Sequence, residues 1–568
     1  MKRRSSIEIM RKLIVLVKPM KIYMMIAVVL GVIGFLLSFG IGIFGAYAFI
    51  STMPENIKSG FASIPFGGKS FNFYIYALII CALLRGVFHY IEQFCNHFIA
   101  FRILAEIRHK VFAAMRGLAP AKLECENPGK LISMIMGDIE LLEVFYAHTI
   151  SPILIAFLTS IVLFVFFSMI NPIIAFFALI AQLYIGVLIP IKASKKTNST
   201  GVSLRRNISL LNGKFLDELR GIRETIQYDV GQRGICEINR ASKNTIKNQS
   251  KLRMEVANMQ SNTDRGIIVL SLLQLLVCYL LYKNGTIDAS SATIAVIVQI
   301  STFSPYIALA NLGTTLAQTL ACGDRIISLL EEEAKVEEVE NGRDTSMKEM
   351  SIENIHFSYK DIEILSDLSL DIKSKDIIGI MGKSGSGKST LLKLMMRFWD
   401  INSGCIKMNE FDIKDINTKS IYNNIDYMTQ STVLFAGTIR ENLLIANREA
   451  SDEELIEALK KASIYDHILK LKNGMDSRIS ELGDNFSGGE RQRIGLARCF
   501  LTDSKMILLD EPSSNLDSHN EAIILKSLTD MKEKAVVIVS HRESTMGICK
   551  KIYTMKNGKL HKDIGLVN

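Results

Sequence analysis

The sequence predicts a membrane α-helical bundle of six transmembrane helices, followed by an α/β domain with a phosphate-binding P-loop. Three observations support this prediction. Six long apolar stretches precede residue 330, and from about residue 350 short strands alternate with helices. Within that second region lies the motif Gly-x-x-x-x-Gly-Lys-Ser, from Gly382 to Ser389.

The composition is typical of a membrane protein. Of the 568 residues 49% are hydrophobic, and the mean hydropathy is +0.24. The net charge of +9 suits loops that face anionic lipid, and with no basic aromatic face we expect no nucleic-acid partner. The nine cysteines are scattered without a Cys-x-x-Cys pair, which predicts reduced thiols and no metal or disulfide framework.

The apolar stretches have the length that a membrane-spanning helix needs. A single one could be a buried core helix, but a soluble domain has no use for so many long runs with few charges. Most reach the roughly 20 residues that cross the hydrocarbon core, and the fifth is the shortest. The six predicted spans are roughly Ile22 to Ile50, Phe71 to Ala100, Ile150 to Ile170, Pro172 to Ile191, Gly266 to Tyr282 and Ala292 to Leu320.

Basic residues in the connecting loops predict the orientation. The loops after the first, third and fifth spans are short and carry few of them, whereas the loops after the second and fourth are long and rich in Lys and Arg. The positive-inside rule therefore places both termini and the two long loops in the cytoplasm. Helical spacing of apolar residues in Leu104 to Leu118 and Leu210 to Tyr228 predicts that the membrane helices continue into these loops.

The flanking regions set the domain bounds. Before the first span, basic and apolar residues mix in a pattern that predicts an amphipathic helix on the inner membrane face. No cleavable signal peptide is expected there. An acidic stretch after Leu330 predicts a solvated linker. The predicted division is residues 1–330 for the transmembrane domain, 331–349 for the linker and 350–568 for the nucleotide-binding domain.

Polar residues inside the spans are candidates for a cargo cavity. Arg85 and Glu92 are seven residues apart in the second span, hence on one face of a helix, and Gln299 lies in the sixth. Two interpretations stay open for these residues: structural pairing with each other or with a neighbouring helix, or a cavity in which Arg85 meets an anionic portion of a cargo. Pro305 predicts a kink in the sixth span.

The P-loop motif has the context that phosphate binding requires. Ile377 to Met381 predicts a buried strand that enters the loop, and Thr390 to Met396 predicts the helix that leaves it. Glycines let the backbone N–H groups approach phosphate oxygens. Lys388 is expected to reach the β- and γ-phosphates, and the Ser389 hydroxyl to hold Mg²⁺.

Two further strands end in residues suited to hydrolysis. Lys505 to Leu509 leads into Asp510, which suits the Mg²⁺ shell, and Glu511, which suits activation of the attacking water as a general base. Ala535 to Ser540 leads into His541, which could contact the γ-phosphate.

Together these motifs resemble the ABC transporters, and specifically an exporter-type half-transporter with membrane and ATPase domains in one chain. Ser487-Gly488-Gly489-Glu490-Arg491-Gln492 is similar to the family signature, and Ser514 to Asp517 to the D-loop. The resemblance makes Gln430 the Q-loop glutamine, His541 the switch histidine and Tyr359 the aromatic that stacks on adenine. It places Glu481 where exporters have a glutamate that contacts cytoplasmic helices.

The resemblance implies a set of site residues and cofactors, with ATP and Mg²⁺ as ligands. Catalysis is assigned to Glu511, His541, Gln430 and Lys388. Mg²⁺ is assigned to Ser389, Gln430 and Asp510. ATP is assigned to Tyr359, Gly382, Lys383, Ser384, Gly385, Ser386, Gly387, Lys388, Ser389 and Thr390.

The resemblance also implies a partner. In the family each ATP lies between the P-loop of one subunit and the signature of the other, so we expect a homodimer or heterodimer with a second half-transporter. Ser487, Gly488, Gly489 and Glu490 would then face the partner's ATP. The family usually has Gln where this chain has Glu490, which places a carboxylate in the signature.

The expected function is ATP-driven transport across a plasma membrane, most simply export of an unidentified small molecule, lipid or peptide. Two alternatives stay open: import through an exporter-like fold, and a membrane ATPase that senses without moving cargo. The residues do not choose among cargoes.

Overall fold

The computed structural model describes residues 4–54, 58, 61–63, 66–122, 131–132, 134–514, 516–531 and 533–562. The chain divides into two compact units, Met1–Met115 with Glu126–Glu332, and Arg116–Cys125 with Glu333–Asn568. The division after Glu332 falls inside the predicted acidic linker.

The first unit consists of long helices. Six helical segments in the described residues are long and apolar enough to cross a membrane, so the prediction of six spans is confirmed. Its helices are α1 (Ser6–Leu16), α2 (Lys21–Ser51), α3 (Phe71–Leu118), α4 (Ile139–Leu141), α5 (Glu143–Phe145), α6 (Ser151–Ile170), α7 (Pro172–Leu183), α8 (Ile189–Arg220), α9 (Ile222–Gln227), α10 (Gly231–Lys283), α11 (Ala289–Ser301) and α12 (Ser304–Leu330).

Several of these helices extend far beyond the apolar stretches. Helix α3 has 48 residues and α10 has 53, which matches the prediction that the spans continue into the long loops. Three π-helical segments interrupt the α-helical geometry, Met134–Asp138, Tyr146–Ile150 and Tyr184–Leu188. The sixth span breaks between α11 and α12, and Pro305 lies in the first turn of α12, where its missing N–H is not needed.

The N-terminal helix packs on the last helix of the same unit. Ile9 and Leu13 of α1 are buried, and a Cβ on Gly323 of α12 would come within 2.9 Å of Leu13 Cδ1. Arg4 Nη1 donates to Asp324 Oδ1 at 2.9 Å. Lys12 Nζ donates to Glu331 Oε1 at 2.7 Å. The predicted amphipathic helix therefore has one apolar face fixed against α12.

The second unit contains two principal sheets. One is antiparallel with the order β2-β1-β4-β5, and the other has the order β12-β11-β3-β10-β9-β6, in which all but β12 run parallel. The strands are β1 (Glu349–Tyr359), β2 (Ile362–Lys373), β3 (Ile377–Gly382), β4 (Ser403–Met408), β5 (Phe411–Asp412), β6 (Ile425–Met428), β7 (Gly437–Thr438), β8 (Arg478–Ile479), β9 (Met506–Asp510), β10 (Ala535–Val539), β11 (Lys551–Lys556) and β12 (Lys559–Lys562).

Helices cover the parallel sheet. Every residue of β9 and β10 is buried, as expected for parallel strands that are covered on both faces. The helices are α13 (Lys388–Met395), α14 (Thr418–Asn424), α15 (Ile439–Leu444), α16 (Asp452–Lys461), α17 (Tyr465–Leu469), α18 (Gly488–Leu501), α19 (Ser518–Thr529) and α20 (Glu543–Met546).

An ion pair links α12 to the π-helical segment before the third span. Arg325 Nε and Nη2 each donate to one carboxylate oxygen of Asp138 at 2.6 Å. The Asp138 side chain is 14% exposed and that of Arg325 is 41% exposed. This bidentate geometry fixes both side chains and joins two segments that are far apart in sequence.

We predict that Arg325→Leu lowers the free energy of unfolding by about 2 kcal/mol, because it leaves the Asp138 carboxylate buried without its partner. The double variant Asp138→Leu/Arg325→Leu is expected to recover most of that loss, since both polar groups are then removed. Thermal unfolding in detergent measures both effects. Equal melting temperatures for the single variant and the wild type would contradict the prediction.

Candidate functional site

The P-loop has the curled backbone that its glycines permit. It joins β3 to α13, and Gly385 and Gly387 have φ angles of +78° and +105°, where residues with a side chain are strained. A Cβ on Gly387 would also lie 2.7 Å from Leu365 Cδ2. Alanine at this position would therefore meet both strain and a clash.

Lys388 lies at the centre of this loop. Its side chain is 7% exposed, and Nζ donates to the carbonyl oxygens of Gly382 and Lys383, each at 2.9 Å. The ammonium group thus points back into the curve of the loop. A cavity of about 1030 Å³ adjoins it and is lined by Gly382, Lys383, Ser384, Gly385, Ser386 and His541, among others. The Ser386 Oγ has no hydrogen-bond partner within the described residues.

Asp510 lies next to the P-loop at the end of β9. It is 3% exposed, accepts a hydrogen bond from the Tyr427 hydroxyl at 3.3 Å and is hydrogen-bonded to Ser389. Burial raises the pKa of Asp510, Glu511 adds to this rise, and the hydrogen bonds and Lys388 oppose it. A buried carboxylate beside a hydroxyl is a suitable pair of oxygen ligands for a magnesium ion.

The Mg²⁺ ligands predicted from the sequence fit such an ion. No cluster of three or more His, Cys, Asp or Glu residues that could hold a metal ion occurs in the part of the chain that the structure describes. Magnesium needs no such cluster, because it takes one or two carboxylates together with substrate phosphates and water. The contact between Ser389 and Asp510 provides this kind of incomplete shell.

Glu511 is held between two other predicted catalytic residues, Gln430 and His541. Its Oε2 accepts from Gln430 Nε2 at 3.2 Å, and its Oε1 lies 3.4 Å from His541 Nδ1. The backbone of Glu511 has a φ of +53°, and its N–H donates to Val539 O at 2.8 Å. The structure thus brings together Gln430, Glu511 and His541, three residues that are far apart in sequence.

Gln492 forms a hydrogen bond to the backbone of Glu511, a role that the sequence did not reveal. Its Nε2 donates to the backbone carbonyl of Glu511 at 2.5 Å. Gln492 is 2% exposed and lies on the signature helix α18. It therefore connects the signature helix to the predicted base within one chain. Its place at the end of the signature is the one local signal that points to it.

The signature begins helix α18 with a reciprocal cap. Ser487 is the N-cap residue, and Glu490 N–H donates to its Oγ at 3.3 Å. In return the Ser487 N–H donates to Glu490 Oε2 at 2.7 Å. The carboxylate of Glu490, which departs from the family pattern, therefore closes a capping box. Gly488 and Gly489 follow in the first turn, where the helix N–H groups are free to meet an anion.

The imidazole of His467 in α17 contacts this carboxylate. His467 Nε2 lies 3.1 Å from Glu490 Oε1. Burial opposes ionisation of Glu490, but the hydrogen bonds from Ser487, with His467 and Arg493 nearby, outweigh it and hold the pKa of Glu490 below its ordinary value. Nothing in the sequence around His467 indicated this contact.

Two other residues predicted from the resemblance lie in the same unit. The ring of Tyr359 packs edge-on against Trp399, with ring centroids 4.9 Å apart, so its stacking on adenine stays a prediction. Glu481 begins a short 3₁₀ turn, Glu481–Gly483, and its contact with cytoplasmic helices also stays a prediction. In the predicted D-loop, Asn515 lies outside the described residues.

The three residues predicted for a cargo cavity have different surroundings. Glu92 is 3% exposed, contacts His89 Nδ1 at 3.1 Å and Asn96 Nδ2 at 3.2 Å, and lines a cavity of about 390 Å³. The side chain of Arg85 is exposed. The contacts of Glu92 are with His89 and Asn96, which lie on its own helix. Gln299 is fully buried, and neither atom of its amide has a partner within the described residues.

Comparisons with known proteins agree in both units. The family model for the ABC transporter transmembrane region matches residues 20–307, and the ABC transporter model matches residues 365–514. A probable ABC transporter ATP-binding/permease protein of Haemophilus influenzae is 41% identical over 98% of this chain and 100% of its own length. A putative multidrug export ATP-binding/permease protein of Bacillus subtilis is 26% identical over 97% of this chain and 95% of its own length.

A solved structure shares the fold. The structure of a bacterial Atm1-family ABC exporter with ATP bound superposes with a TM-score of 0.78 and covers 93% of this chain and 94% of its own, at 20% sequence identity. At this identity the match concerns the fold alone.

We predict that Glu490→Ala destabilises the second unit by about 1 kcal/mol, because it removes half of the capping box. Glu490→Gln keeps a side-chain acceptor and should retain most of that stability. Since the pKa of Glu490 is lowered in the folded state, its contribution is present above the ordinary carboxyl pKa and is lost as the pH falls through the lowered value.

Thermal unfolding of the three proteins at neutral pH and at pH values below about 4 tests this prediction. The difference in melting temperature between wild type and Glu490→Ala should be smaller at the acidic pH. A difference that grows as the pH falls would contradict the stabilising role of the ionised Glu490 side chain.

Proposed function

Because this chain belongs to the ABC transporter family, we propose that it is one half of an exporter. It would move an unidentified small molecule, lipid or peptide outward across the plasma membrane. The chain is an ATP hydrolase of a transporter that couples ATP hydrolysis to transport. The observation that carries the hydrolytic part of this proposal is the arrangement of the Glu511 carboxylate between Gln430 and His541. The outward direction is supported by the similarity to a putative multidrug export protein.

The P-loop supplies the binding energy for the phosphates of ATP. Its residues from Gly382 to Thr390 would present backbone N–H groups to the phosphate oxygens, and Lys388 would turn its ammonium from the loop carbonyls to the β- and γ-phosphates. This movement of the ammonium group would be short, because Nζ already lies inside the loop. Tyr359 would stack on the adenine ring.

Ser389, Gln430 and Asp510 would hold Mg²⁺. The bound ion would offset the negative charge of the phosphates during phosphoryl transfer. The Ser389–Asp510 contact supports this assignment because the hydroxyl and the carboxylate already face each other.

Glu511 would act as the general base. Gln430 and His541 hold its two oxygens in place, and the carboxylate would accept a proton from the water that attacks the γ-phosphorus. His541 would then orient the water and contact the γ-phosphate. Gln492 keeps the backbone of Glu511 from moving away through its hydrogen bond to the Glu511 carbonyl.

The signature of this chain would serve the ATP of a partner. The N-terminus of α18, at Ser487, Gly488 and Gly489, presents N–H groups that suit an anion. Glu490 completes the cap, and its carboxylate also contacts His467. We propose that two half-transporters, identical or different, close on two ATP molecules. Separation after hydrolysis would reset the assembly.

The remaining assignments follow from the same proposal. The transmembrane domain spans residues 1–330, the linker 331–349 and the nucleotide-binding domain 350–568, with both termini in the cytoplasm. Glu92, which lines a cavity in the membrane unit, supports a cargo site there. Arg85 and Gln299 are further candidates for this site.

We predict that Glu511→Gln lowers ATP hydrolysis by at least about a hundredfold, because the amide cannot accept the proton of the attacking water. ATP should still bind, since the P-loop is unchanged, and the protein should retain it. Release of radiolabelled phosphate and retention of radiolabelled ATP measure the two effects.

Glu543→Gln is a matched control, since it removes an exposed carboxylate from the same unit and should hydrolyse ATP at close to the wild-type rate. Full turnover in Glu511→Gln would refute the assignment of the base.

We predict that inside-out membrane vesicles accumulate the cargo in the presence of ATP, and that vesicles with the Glu511→Gln protein do not. A panel of radiolabelled amphipathic compounds, screened first for stimulation of ATP hydrolysis, supplies the candidates. Accumulation in right-side-out vesicles instead would indicate import. ATP turnover without accumulation in either orientation would indicate an ATPase that does not transport.

A further inference from the structure

An apolar groove in the membrane unit is separate from the Glu92 cavity. It has a volume of about 490 Å³ and lies among α6, α7, the π-helical segment Tyr184–Leu188 and α12. Its walls include the apolar side chains of Phe157, Ile161 and Leu183, which are 63%, 49% and 50% exposed. None of the residues that line it also lines the Glu92 cavity. Its size suits a drug-sized molecule.

One polar atom that borders the groove, the amide oxygen of Gln182, has no partner within the described residues. Gln182 is 2% exposed, and its Oε1 is buried without a hydrogen bond in the part of the chain that the structure describes. A buried amide without a partner is costly in apolar surroundings, and native proteins satisfy nearly all such groups. An amide that lines a cavity can be satisfied by a molecule that enters it.

The other polar groups of the groove satisfy each other. Ser160 Oγ and Tyr306 Oη are hydrogen-bonded at 2.7 Å. No Lys, Arg, His, Asp or Glu is among the described residues that line the groove. The groove therefore offers apolar contact and one unpartnered amide oxygen, but no counter-charge for an ion.

The backbone next to Gln182 departs from regular α-helical geometry. A π-helical segment begins two residues after Gln182, and such segments often occur at functional sites. A Cβ on Gly186 within it would lie 3.1 Å from Tyr306 Cδ1, so glycine allows the close approach to α12. On the opposite side, the break between α11 and α12 comes just before Tyr306.

We propose that this groove binds an uncharged, hydrophobic molecule that carries a hydroxyl group. The apolar walls would hold the hydrocarbon part, and the hydroxyl would bond to the amide of Gln182. The unpartnered oxygen of Gln182 accepts a hydrogen bond, which a hydroxyl can donate. A charged head group would lose its hydration in the groove without gaining a partner. Binding here does not depend on the direction of transport, so the inference stands apart from the proposed export.

Photolabelling of the full chain in phosphatidylcholine nanodiscs tests this inference. The probe is a twelve-carbon alcohol with a diazirine in its chain. The matched probes are the same chain without the hydroxyl and the same chain with a trimethylammonium group. Mass spectrometry locates the label, and competition with unlabelled dodecanol gives an apparent Kd. No ATP is needed, so failure of transport and failure of binding are distinguishable.

The wild type should be labelled saturably by the alcohol within residues 153–165 or 179–187, and more strongly than by the other two probes. Gln182→Leu should raise the apparent Kd for dodecanol about tenfold, as expected for one lost hydrogen bond, and leave labelling by the alkane unchanged. Gln274→Leu is the matched control, because Gln274 is also buried without partners but does not line the groove.

Val187→Trp, a change at the groove wall, should reduce labelling by the alcohol and the alkane alike. This variant and the comparison of probes on the wild type decide the question even if Gln182→Leu does not fold. Equal labelling by alcohol and alkane, stronger labelling by the cation, or an unchanged Kd in Gln182→Leu would overturn the inference.

Discussion

The ATP site depends on the order of neighbouring parallel strands in one sheet. The order β3-β10-β9-β6 places four carboxyl ends side by side. The P-loop follows β3, His541 follows β10, Asp510 and Glu511 end β9, and Gln430 follows β6. Because parallel strands end at the same edge, Gln430 and His541, which are 111 positions apart, meet around the carboxylate of Glu511.

The second half of the site is a helix start rather than a strand end. Ser487 and Glu490 cap α18, His467 contacts the carboxylate of the cap, and Gln492 links the same helix to the backbone of Glu511. The signature and the base of one chain are therefore mechanically connected, although we propose that they act on different ATP molecules.

Much of this could be predicted from the sequence, for identifiable reasons. The six spans and the P-loop can be predicted from the sequence, because they depend on local composition and on residues adjacent in the chain. The contacts of His467, Gln492 and Tyr427 depend on tertiary packing, and none of them has a local signal. The charge of Glu92 within a span is evident from the sequence, whereas its contacts with His89 and Asn96, three and four residues away, depend on side-chain packing. The groove beside Gln182 arises from a π-helical segment that periodicity does not reveal.

The most direct test of the account is single-turnover ATP hydrolysis by dimers assembled from two differently tagged copies. In one dimer, one copy carries Lys388→Ala and the other Ser487→Arg; in the second dimer, both changes are on one copy and the other is wild type. Sites shared between copies leave one intact site in the first dimer and none in the second, so we predict hydrolysis by the first dimer alone. Hydrolysis by the second dimer alone would mean that each chain completes its own site, and would contradict the account.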